Sequence, residues 1–598
     1  MASASSFKPK YSNLIEIFEH SVKAHADRPL FGVKQRGAWK WMSYREFGKQ
    51  TDELRGGLAQ LGVGEDDVVA IIANNRPEWA IAAYATYGIS ARYAPMYESQ
   101  LPKEWKYILA DSGAKVVFVA TEEIRVEVAK IAEELETLHH VVLLGESPDA
   151  KLTFDDVRAK GREHPAPLQH PSGDHIAGFI YTSGTTGNPK GVLLSHSNLA
   201  SNVSAMHEVF PMSTEDRSLS FLPWAHSFGQ TVELHGLFSM GASLGIAESV
   251  PKIIENLAEV QPTLLFSVPR IFNKIHDGVL KKIEEEGGLK KKLFFATLET
   301  ARQKKALAEQ HKRSGFVDLK HKVLDGLVAS KIRARFGGRL KYAFSGGAAI
   351  AKEVAEFIDA LGITVYEGYG LTETSPIATA NWPGARKIGS VGKPIPGVRI
   401  EIDREITEDP KHGEIVVFGH CVMQGYHGLP EANAEVFVDG GGFRTGDMGF
   451  IDEDGFLYIT GRIKEQYKLE NGKYVVPGPL EEQLQISAYV NQAFVDGTNK
   501  PFNVALIVPD EPALKKWAEA NGLPTDLATL VDHERVQALM REQLDKYSGD
   551  FKQFEKIKRF AVIPEEFTVE NGMLTPKMSV KRRKVMEKWG DKLQGLYS

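Results

Sequence analysis

The sequence of 598 residues predicts an α/β protein with at least two domains. Its length exceeds what a single hydrophobic core normally supports. In the N-terminal part, short apolar runs alternate with helical patterns, and this alternation is typical of a largely parallel sheet flanked by helices. After residue 411 short apolar runs separated by glycine follow instead, so we expect a β-rich region there and a mixed α/β region after it.

Three apolar runs predict the buried strands of the first region: residues 68–72, 116–119 and 141–144. Pro77 suits a helix start, because the N–H group that proline lacks would have no partner within the helix at that position. Apolar residues follow it at helical spacing as far as Thr86, so we expect a helix over this stretch.

The later segments are predicted from the same patterns. Residues 281–313 are rich in charge and predict a solvated pair of amphipathic helices, with a lipid-facing surface as the alternative. Apolar residues recur at helical spacing over 354–361 and predict a helix with one buried face. Residues 415–418 and 456–459 predict strands, and we expect a domain boundary at 461–462.

Composition and charge exclude several classes of protein. The 72 Lys and Arg residues against 78 Asp and Glu give a formal charge of -6, so we expect no nucleic-acid partner. The single cysteine, Cys421, cannot form an internal disulfide, and no Cys/His group has zinc-ligand spacing. Since neither a signal peptide nor a spanning helix is predicted, we expect a cytoplasmic protein, and peripheral membrane contact stays open.

A loop rich in glycine and hydroxyl groups is the most informative segment, with the sequence Tyr181-Thr-Ser-Gly-Thr-Thr-Gly-Asn-Pro-Lys190-Gly. Glycines let backbone N–H groups approach phosphate oxygens, hydroxyls add donors and Lys190 adds a positive charge. It is not a Walker A loop, because Pro189 precedes the lysine and Gly191 follows it. The segment therefore predicts phosphate binding by a loop of another type.

A second polar segment, Tyr366-Glu-Gly-Tyr369-Gly-Leu-Thr372-Glu373-Thr, follows a strand-like run. Its aromatic ring, hydroxyl and carboxylate suit adenine stacking, a phosphate contact and a magnesium ligand. Helix capping by the threonine and glutamate is the alternative interpretation.

In this order along the chain, these motifs resemble those of the adenylate-forming (AMP-binding) superfamily, and the resemblance to its long-chain fatty acyl-CoA synthetase branch runs through essentially the whole chain. It extends to the glycine pair after Ser345, to Thr445-Gly-Asp447, to the hinge-like segment 461–465 and to the small-domain loop 471–477. The segment 221–228 resembles the family segment that lines the acyl tunnel, and the segment 268–272 with the charged helical stretch after it is similar to the long-chain branch.

The resemblance implies the fold and the activity together. It implies a large N-terminal adenylate-forming domain, residues 1–461, with parallel sheets flanked by helices and a small β-barrel-like part, and a small mobile α+β domain, residues 462–598. The implied reaction uses ATP and Mg²⁺ to convert a medium- or long-chain fatty acid to acyl-AMP and then transfers the acyl group to coenzyme A. An acyl-AMP or acyl-carrier-protein ligase and a catalytically weakened nucleotide-binding homologue are the alternatives. The sequence determines neither the chain-length preference nor the oligomeric state.

The resemblance also implies a role for individual residues. The implied catalytic residues are Lys577, Thr372, Glu373 and His226, and the implied metal ligands are Thr182 and Glu373. Lys464 is the implied hinge, and the implied coenzyme A-facing residues are Gly472, Lys473 and Tyr474. The implied ATP- and AMP-binding residues are Thr182, Ser183, Gly184, Thr185, Thr186, Gly187, Lys190, Gly346, Gly347, Tyr369, Gly370, Thr372, Asp447 and Arg462.

One position departs from the branch. Its members carry a catalytic lysine where this chain has Ser579, in the segment Leu574-Thr-Pro-Lys577-Met-Ser579. There are three explanations. Lys577 reaches the site from a neighbouring position, or serine replaces the lysine and adenylation is slow, or the protein is a weakened enzyme that mainly binds nucleotide. We favour the first, because a lysine side chain is long. The basic run at 581–584 predicts a solvated face.

Overall fold

The computed structural model of the chain describes residues 7–182, 188–348, 350–405, 411–549, 551–575 and 578–598. Within them, two large sheets with a parallel core lie among helices and are followed by a smaller antiparallel sheet and an α/β C-terminal part. The chain therefore has the predicted α/β architecture. No helix of the described residues combines the length and the apolar content that spanning a bilayer requires.

The helices of the described residues are numbered in chain order: α1 Leu14–Ala24, α2 Tyr44–Gln60, α3 Pro77–Tyr87, α4 Pro102–Ser112, α5 Glu122–Ala132, α6 Phe154–Glu163, α7 His196–Val209, α8 Gly236–Ser239, α9 Ile253–Val260, α10 Pro269–Glu286, α11 Gly288–Glu309, α12 Gly315–Leu324, α13 Ser330–Ala334, α14 Lys352–Ala360, α15 Pro430–Val436, α16 Pro477–Leu484, α17 Glu511–Ala520, α18 Leu527–Leu530, α19 Glu534–Tyr547 and α20 Arg582–Gly595. Two π-helical segments, Phe228–His235 and Asp325–Ala329, and three 3₁₀ turns, Val250–Lys252, Thr372–Thr374 and Ile463–Glu465, complete them.

The strands are numbered in the same way: β1 Pro29–Gln35, β2 Ala38–Ser43, β3 Val68–Ile72, β4 Arg92–Met96, β5 Ala114–Val119, β6 His140–Leu143, β7 Ile176–Thr182, β8 Lys190–Ser195, β9 Arg217–Ser220, β10 Ser243–Ile246, β11 Leu264–Ser267, β12 Tyr342–Ser345, β13 Thr364–Gly370, β14 Ile377–Ala380, β15 Lys393–Pro394, β16 Val398–Asp403, β17 Gly413–Gly419, β18 Gly425–Tyr426, β19 Phe437–Val438, β20 Gly442–Ile451, β21 Leu457–Arg462, β22 Tyr467–Lys468, β23 Tyr474–Val475, β24 Val490–Asp496, β25 Asn503–Pro509 and β26 Ile557–Val562.

Two large sheets build the N-terminal part. The first has nine strands in the order β2-β1-β10-β9-β11-β12-β13-β14-β15, and its central strands, from β1 to β13, are parallel. The second has seven strands in the order β6-β5-β3-β4-β7-β8-β18, and its antiparallel edge is formed by β8 and β18. Strands buried on both faces need the continuous apolar runs that the sequence has at β3 and β5.

Two further parts follow the large sheets. Strands β16, β17, β19, β20 and β21 form the β-rich part, and in the described residues their pairing gives an open antiparallel sheet. The C-terminal part has the three-stranded sheet β24-β25-β26 and the short hairpin β22-β23, packed with helices α16 to α20. On α10, Arg270 donates to Asn491 at 3.0 Å and Glu285 pairs with Lys516 at 2.6 Å, so this helix contacts the C-terminal part.

The predicted elements are confirmed. The run 68–72 is β3, the runs 116–119 and 141–144 lie in β5 and at β6, and the helix that begins at Pro77 is α3. The charged stretch 281–313 contains a helix pair, α10 and α11, although α10 begins earlier than expected, at Pro269. The pair packs on α14 through buried side chains such as Phe294, and this contact holds the pair against the nine-stranded sheet.

Glycines allow the close crossing of α2 and α6. A Cβ atom on Gly161 of α6 would overlap the carbonyl oxygen of Glu53, and one on Gly57 of α2 would overlap that of Val157. Neither backbone can move away cheaply, because both belong to packed helices.

Gly161→Ala should lower the free energy of unfolding by about 1–3 kcal/mol, because the added methyl group overpacks the helix crossing. Gly278→Ala is the matched control, since Gly278 lies in α10 with open space around it, and there alanine should be neutral or stabilising by up to about 1 kcal/mol. Urea denaturation of both variants measures the difference. Equal stabilities would contradict this account of the crossing.

Candidate active site

The predicted phosphate loop connects two neighbouring antiparallel strands, β7 and β8. Thr182 and Lys190 are the last paired residues on either side of it. The strand pair therefore holds the two ends of the loop in register, with a hydroxyl opposite a lysine. The predicted binding residues of the loop itself lie outside the described residues, namely Ser183, Gly184, Thr185, Thr186 and Gly187.

Tyr426 joins the lysine of this loop to a carboxylate. The Lys190 Nζ lies 4.6 Å from the centroid of the Tyr426 ring, and the Tyr426 hydroxyl donates to Glu373 Oε1 at 2.9 Å. Burial, and then the Glu373 carboxylate, raise the pKa of Tyr426 well above its usual range, so the hydroxyl remains a donor. One ring thus holds a cation and an anion close together.

Sequence reasoning missed Tyr426. It lies on β18, and the pairing of β18 with β8 brings it opposite Val192, just beyond the loop. No local pattern marks it, because it is far along the chain from both Lys190 and Glu373 and only the sheet brings the three together.

A second cluster forms at Asp447. The Tyr369 hydroxyl donates to Asp447 Oδ2 at 2.7 Å, and Arg462 Nε lies 3.0 Å from Asp447 Oδ1. Asp447 and Arg462 are opposite each other in the pairing of β20 with β21. Burial raises the pKa of the Asp447 carboxyl, whereas Arg462 and the Tyr369 hydroxyl oppose that rise by stabilising its charge. The structure therefore brings together three residues that were predicted separately.

Between these clusters lies a bulge in β13 that requires a glycine. The register of β13 and β14 shifts between Tyr369 and Gly370. A Cβ atom on Gly370 would overlap the carbonyl oxygen of Pro376. The Thr374 hydroxyl donates to the same carbonyl at 2.7 Å and accepts from the Leu371 N–H at 2.8 Å, which fixes the turn after the bulge.

Thr372 lies against the predicted acyl segment. Its hydroxyl oxygen is 3.4 Å from that of Ser227, and Thr372 is buried. The neighbouring His226 accepts the Phe228 N–H on Nδ1 at 3.1 Å, so the neutral imidazole carries its proton on Nε2. The Phe228 ring in turn lies against Gly346, where a Cβ atom would come within 3.3 Å of it.

The glycine pair ends β12 close to this segment. Gly346 N–H donates to the Ser267 carbonyl at 3.3 Å, and Gly347 has a φ of +85°, a conformation that favours glycine. These two predicted ATP- and AMP-binding glycines therefore lie beside the segment that carries His226.

Glu233 is a further buried carboxylate that sequence reasoning missed. It accepts from the hydroxyls of Ser218 at 2.6 Å and Ser220 at 2.7 Å, and Trp224 Nε1 donates to Ser220 at 3.1 Å. Burial raises the pKa of Glu233 to about 7, although these hydroxyls oppose the rise. A signal was present, because no other Asp, Glu, Lys or Arg occurs between residues 217 and 248.

Asn75 extends this network to the acyl segment. Its amide donates to Ser220 at 3.0 Å and to the Leu222 carbonyl at 2.7 Å, and its oxygen accepts the Trp224 N–H at 2.8 Å. The network therefore holds the backbone just before His226.

Among the described residues, no hydrogen bond or ion pair joins the predicted hinge and coenzyme A-facing residues to the cluster at Tyr426 or the cluster at Asp447. Lys464 is exposed in a 3₁₀ turn. Gly472 has a φ of +82°, Lys473 Nζ lies 4.7 Å from the Phe554 ring centroid, and Tyr474 is half exposed with Lys468 over its ring.

The described residues on either side of Pro576 and Lys577 are hydrogen-bonded to each other. Thr575 N–H donates to the Ser579 carbonyl at 2.9 Å, and Ser579 N–H donates to the Thr575 hydroxyl at 3.2 Å. Ser579 is exposed, and Lys577 lies outside the described residues. The prediction of a solvated face at 581–584 is wrong for Arg582, whose guanidinium pairs with Glu481 at 2.7 Å and covers the Phe494 ring, because the start of α20 packs onto β24.

Comparison with known proteins decides the family. The model of the AMP-binding enzyme family matches residues 18–427, and that of the AMP-binding enzyme C-terminal domain matches residues 464–598. The chain belongs to the AMP-binding enzyme family. The resemblance predicted from the motifs is thereby confirmed.

Curated relatives of this AMP-binding enzyme are similar over nearly their whole length. The long-chain-fatty-acid–CoA ligase FadD15 of Mycobacterium bovis is 34% identical over 97% of this chain and 96% of its own. The peroxisomal long chain acyl-CoA synthetase 7 of Arabidopsis thaliana is 29% identical over 99% of this chain and 87% of its own.

Solved structures confirm the fold of this AMP-binding enzyme. The adenylation domain of a carboxylate reductase from Mycobacterium chelonae matches with a TM-score of 0.79 at 21% identity, over 99% of this chain and 92% of that chain. The anthranilate CoA ligase AuaEII, in complex with anthranoyl-AMP, matches with a TM-score of 0.75 at 20% identity, over 99% of both chains.

Glu233→Gln should change how stability depends on pH. The pKa of Glu233 is raised from 4.5 to about 7 in the folded protein, so burial favours the protonated form. Its contribution to stability is therefore full below pH 4.5 and is lost as the pH rises through 7. Glutamine removes this loss, so the variant should gain stability relative to the parent between pH 5 and pH 8, by about 3 kcal/mol at most.

The free energy of unfolding of both proteins, measured across this pH range, tests the prediction. Glu133→Gln, at an exposed glutamate after α5, is the control and should show no such trend. A pH-independent difference between Glu233→Gln and the parent would show that Glu233 is already ionised in the folded protein.

Proposed function

We propose that this chain is an ATP-dependent long-chain fatty acid–CoA ligase. The carboxylate of the acid attacks ATP to form acyl-AMP with release of pyrophosphate, and the thiol of coenzyme A then takes the acyl group with release of AMP. Membership of the AMP-binding enzyme family and full-length similarity to long-chain-fatty-acid–CoA ligases support this activity.

One structural observation carries the proposal at the level of the site. The five residues from Tyr369 to Glu373 contact three separate groups: Asp447 through Tyr369, Ser227 through Thr372, and Tyr426 through Glu373. A nucleotide, its phosphates and an acyl group need three such neighbouring environments, and a single short segment borders all of them.

Lys190 and Glu373 are the residues that would act on the phosphates of ATP. Attack of a carboxylate on the α-phosphorus of ATP brings negative charges together, so a fixed cation lowers the barrier. Mg²⁺ fits here, because this ion is commonly held by one or two carboxylates together with substrate phosphates. Glu373 and Thr182 would hold it, and it would neutralise phosphate charge. The described residues contain no group of three or more His, Cys, Asp or Glu that could form an all-protein metal site.

Tyr369, Asp447 and Arg462 would bind the nucleoside part of ATP. A buried carboxylate that already accepts from Tyr369 and Arg462 has the remaining lone pairs to accept from the two ribose hydroxyls. Gly347, whose Cβ position is free of close contacts, would let the flat adenine ring approach the backbone, and Gly346 and Gly370 would border the nucleotide through backbone atoms.

His226 would position the carboxylate of the acid substrate. Its Nδ1 accepts a backbone N–H, so Nε2 is the nitrogen that can donate to a substrate carboxylate. Such a donor holds the acid in position beside Thr372 without removing its charge, and the charge is needed for the attack.

The division of the chain completes the proposal. The large domain would comprise residues 1–461 and the mobile small domain residues 462–598, with Lys464 as the hinge and Gly472, Lys473 and Tyr474 facing coenzyme A. The small domain would then turn after acyl-AMP forms, so that one site serves both steps. A cytoplasmic location and peripheral membrane contact remain predictions of the sequence.

Purified protein given ATP, Mg²⁺, coenzyme A and fatty acids of increasing chain length should form acyl-CoA, AMP and pyrophosphate. AMP without acyl-CoA would favour a carrier protein as the acceptor. ATP binding with neither AMP nor pyrophosphate exchange would contradict the proposed function and support a nucleotide-binding homologue.

Lys577 and Ser579 permit a sharper test. Lys577→Ala should slow pyrophosphate exchange by about 10²-fold or more if Lys577 supplies the missing charge, the usual loss for a transition-state contact. Lys584→Ala is the matched control, because this nearby lysine pairs with Glu587 on the surface of α20. Ser579→Lys restores a lysine at the position where the family carries it, and it should rescue exchange in the Lys577→Ala background. An unchanged rate in Lys577→Ala would rule out Lys577 as the substitute.

A further inference from the structure

Helices α11 and α12, with the π-helical turn that follows, present an apolar face to solvent. One side of this layer is buried through Phe294 and Leu298, which pack with α14. The opposite side carries Phe316, Leu319 and Val323, which are 77%, 64% and 54% exposed. Such a concentration of large exposed apolar side chains is unusual for a soluble surface and marks a site of interaction with a protein, a membrane or a ligand.

The exposed residues form one stripe. Phe316, Leu319, Val323 and Leu327 are separated by three, four and four residues, so they share one face of the nearly continuous helix through α12 and the π-helical turn. Lys331 follows Leu327 by four residues and extends the same face.

Helix α11 adds a parallel row. Leu289 is 72% exposed, and Leu293 and Ala296, at helical spacing from it, line a shallow groove together with Phe316 and Lys320 of α12. The two rows give a surface of helical apolar residues rather than a single exposed side chain.

The charge around this surface is opposite to that of the whole protein. Residues 288–334 contain twelve Lys and Arg against four Asp and Glu, whereas the whole chain has a formal charge of -6. Lys292, Lys320, Lys322 and Lys331 are exposed, and no carboxylate of the described residues forms an ion pair with any of them. An apolar stripe bordered by lysines is typical of a helix that lies in the interface of an anionic bilayer.

Charge argues against a second copy of the chain as the occupant. Two copies that met through this face would bring two lysine-rich surfaces together, and like charges destabilise such an interface. An anionic lipid surface matches both features, since its headgroups attract the lysines and its acyl region accepts the apolar side chains.

We propose that the α11–α12 face, formed by Leu289, Lys292, Phe316, Leu319, Lys320, Val323, Leu327 and Lys331, docks on bilayers that contain anionic phospholipid. The binding itself does not depend on the proposed function. If the chain activates long-chain acids, docking through this face also places the enzyme at the bilayer, into which such acids partition.

Flotation with vesicles tests the docking. The full chain should bind vesicles of phosphatidylcholine and phosphatidylglycerol at least about 10-fold more strongly than vesicles of phosphatidylcholine alone, and high salt should weaken the binding. The variant with Phe316→Ser, Leu319→Ser and Val323→Ser should lose at least about 10-fold in binding. Lys292→Gln with Lys320→Gln and Lys331→Gln should abolish the preference for anionic lipid and the salt dependence.

Matched controls separate this result from general effects. Val250→Ser with Ile254→Ser removes exposed apolar residues elsewhere, and Lys103→Gln with Lys160→Gln removes lysines elsewhere, so neither should change the binding. Circular dichroism and ATP binding report whether each variant is folded, independently of ligase activity. Three results would each overturn the proposal. The parent does not bind vesicles, or it binds neutral vesicles equally well, or the parent is a dimer that the serine substitutions dissociate and the control substitutions do not.

Discussion

The geometry of the candidate site depends on glycine at position 370, which has no Cβ atom. Strand β13 runs parallel to β12, then antiparallel to β14, and the change requires the backbone of Gly370 to lie against the carbonyl of Pro376 with no room for a Cβ atom. The resulting bulge ends the strand and starts a tight turn. Consecutive residues therefore face different partners, and Tyr369, Thr372 and Glu373 reach three separate parts of the chain.

The cluster at Asp447 shows how burial and charge act against each other. The carboxyl is almost fully buried, and burial alone would favour its protonated form. The guanidinium of Arg462, at the end of β21 and within the hinge-like segment 461–465, opposes this effect by stabilising the charged form. A rotation at Lys464 would begin two residues from this ion pair, so the pair ties the nucleoside end of the site to the chain segment predicted to move.

Charged groups in this chain occupy very different environments. Glu233 is buried and accepts hydrogen bonds from the hydroxyls of Ser218 and Ser220, and the cost of its burial appears as its raised pKa. Lys292 of α11 and Lys320 of α12 are exposed to solvent near apolar side chains that are also exposed. The first arrangement orders the backbone before His226, whereas the second gives an otherwise acidic protein a cationic surface.

The sequence by itself determined the α/β class, the helix at Pro77, the strand at 68–72 and the order of the motifs, because each depends on the spacing of residues near one another in the chain. It also revealed Ser579 at the position of the family's lysine. Only the tertiary structure decided that Tyr426 joins Lys190 to a carboxylate, that Glu233 is buried, and which face of α12 meets solvent. Those features depend on the pairing of distant strands and on which helix side packs inward, and local spacing carries no information about either.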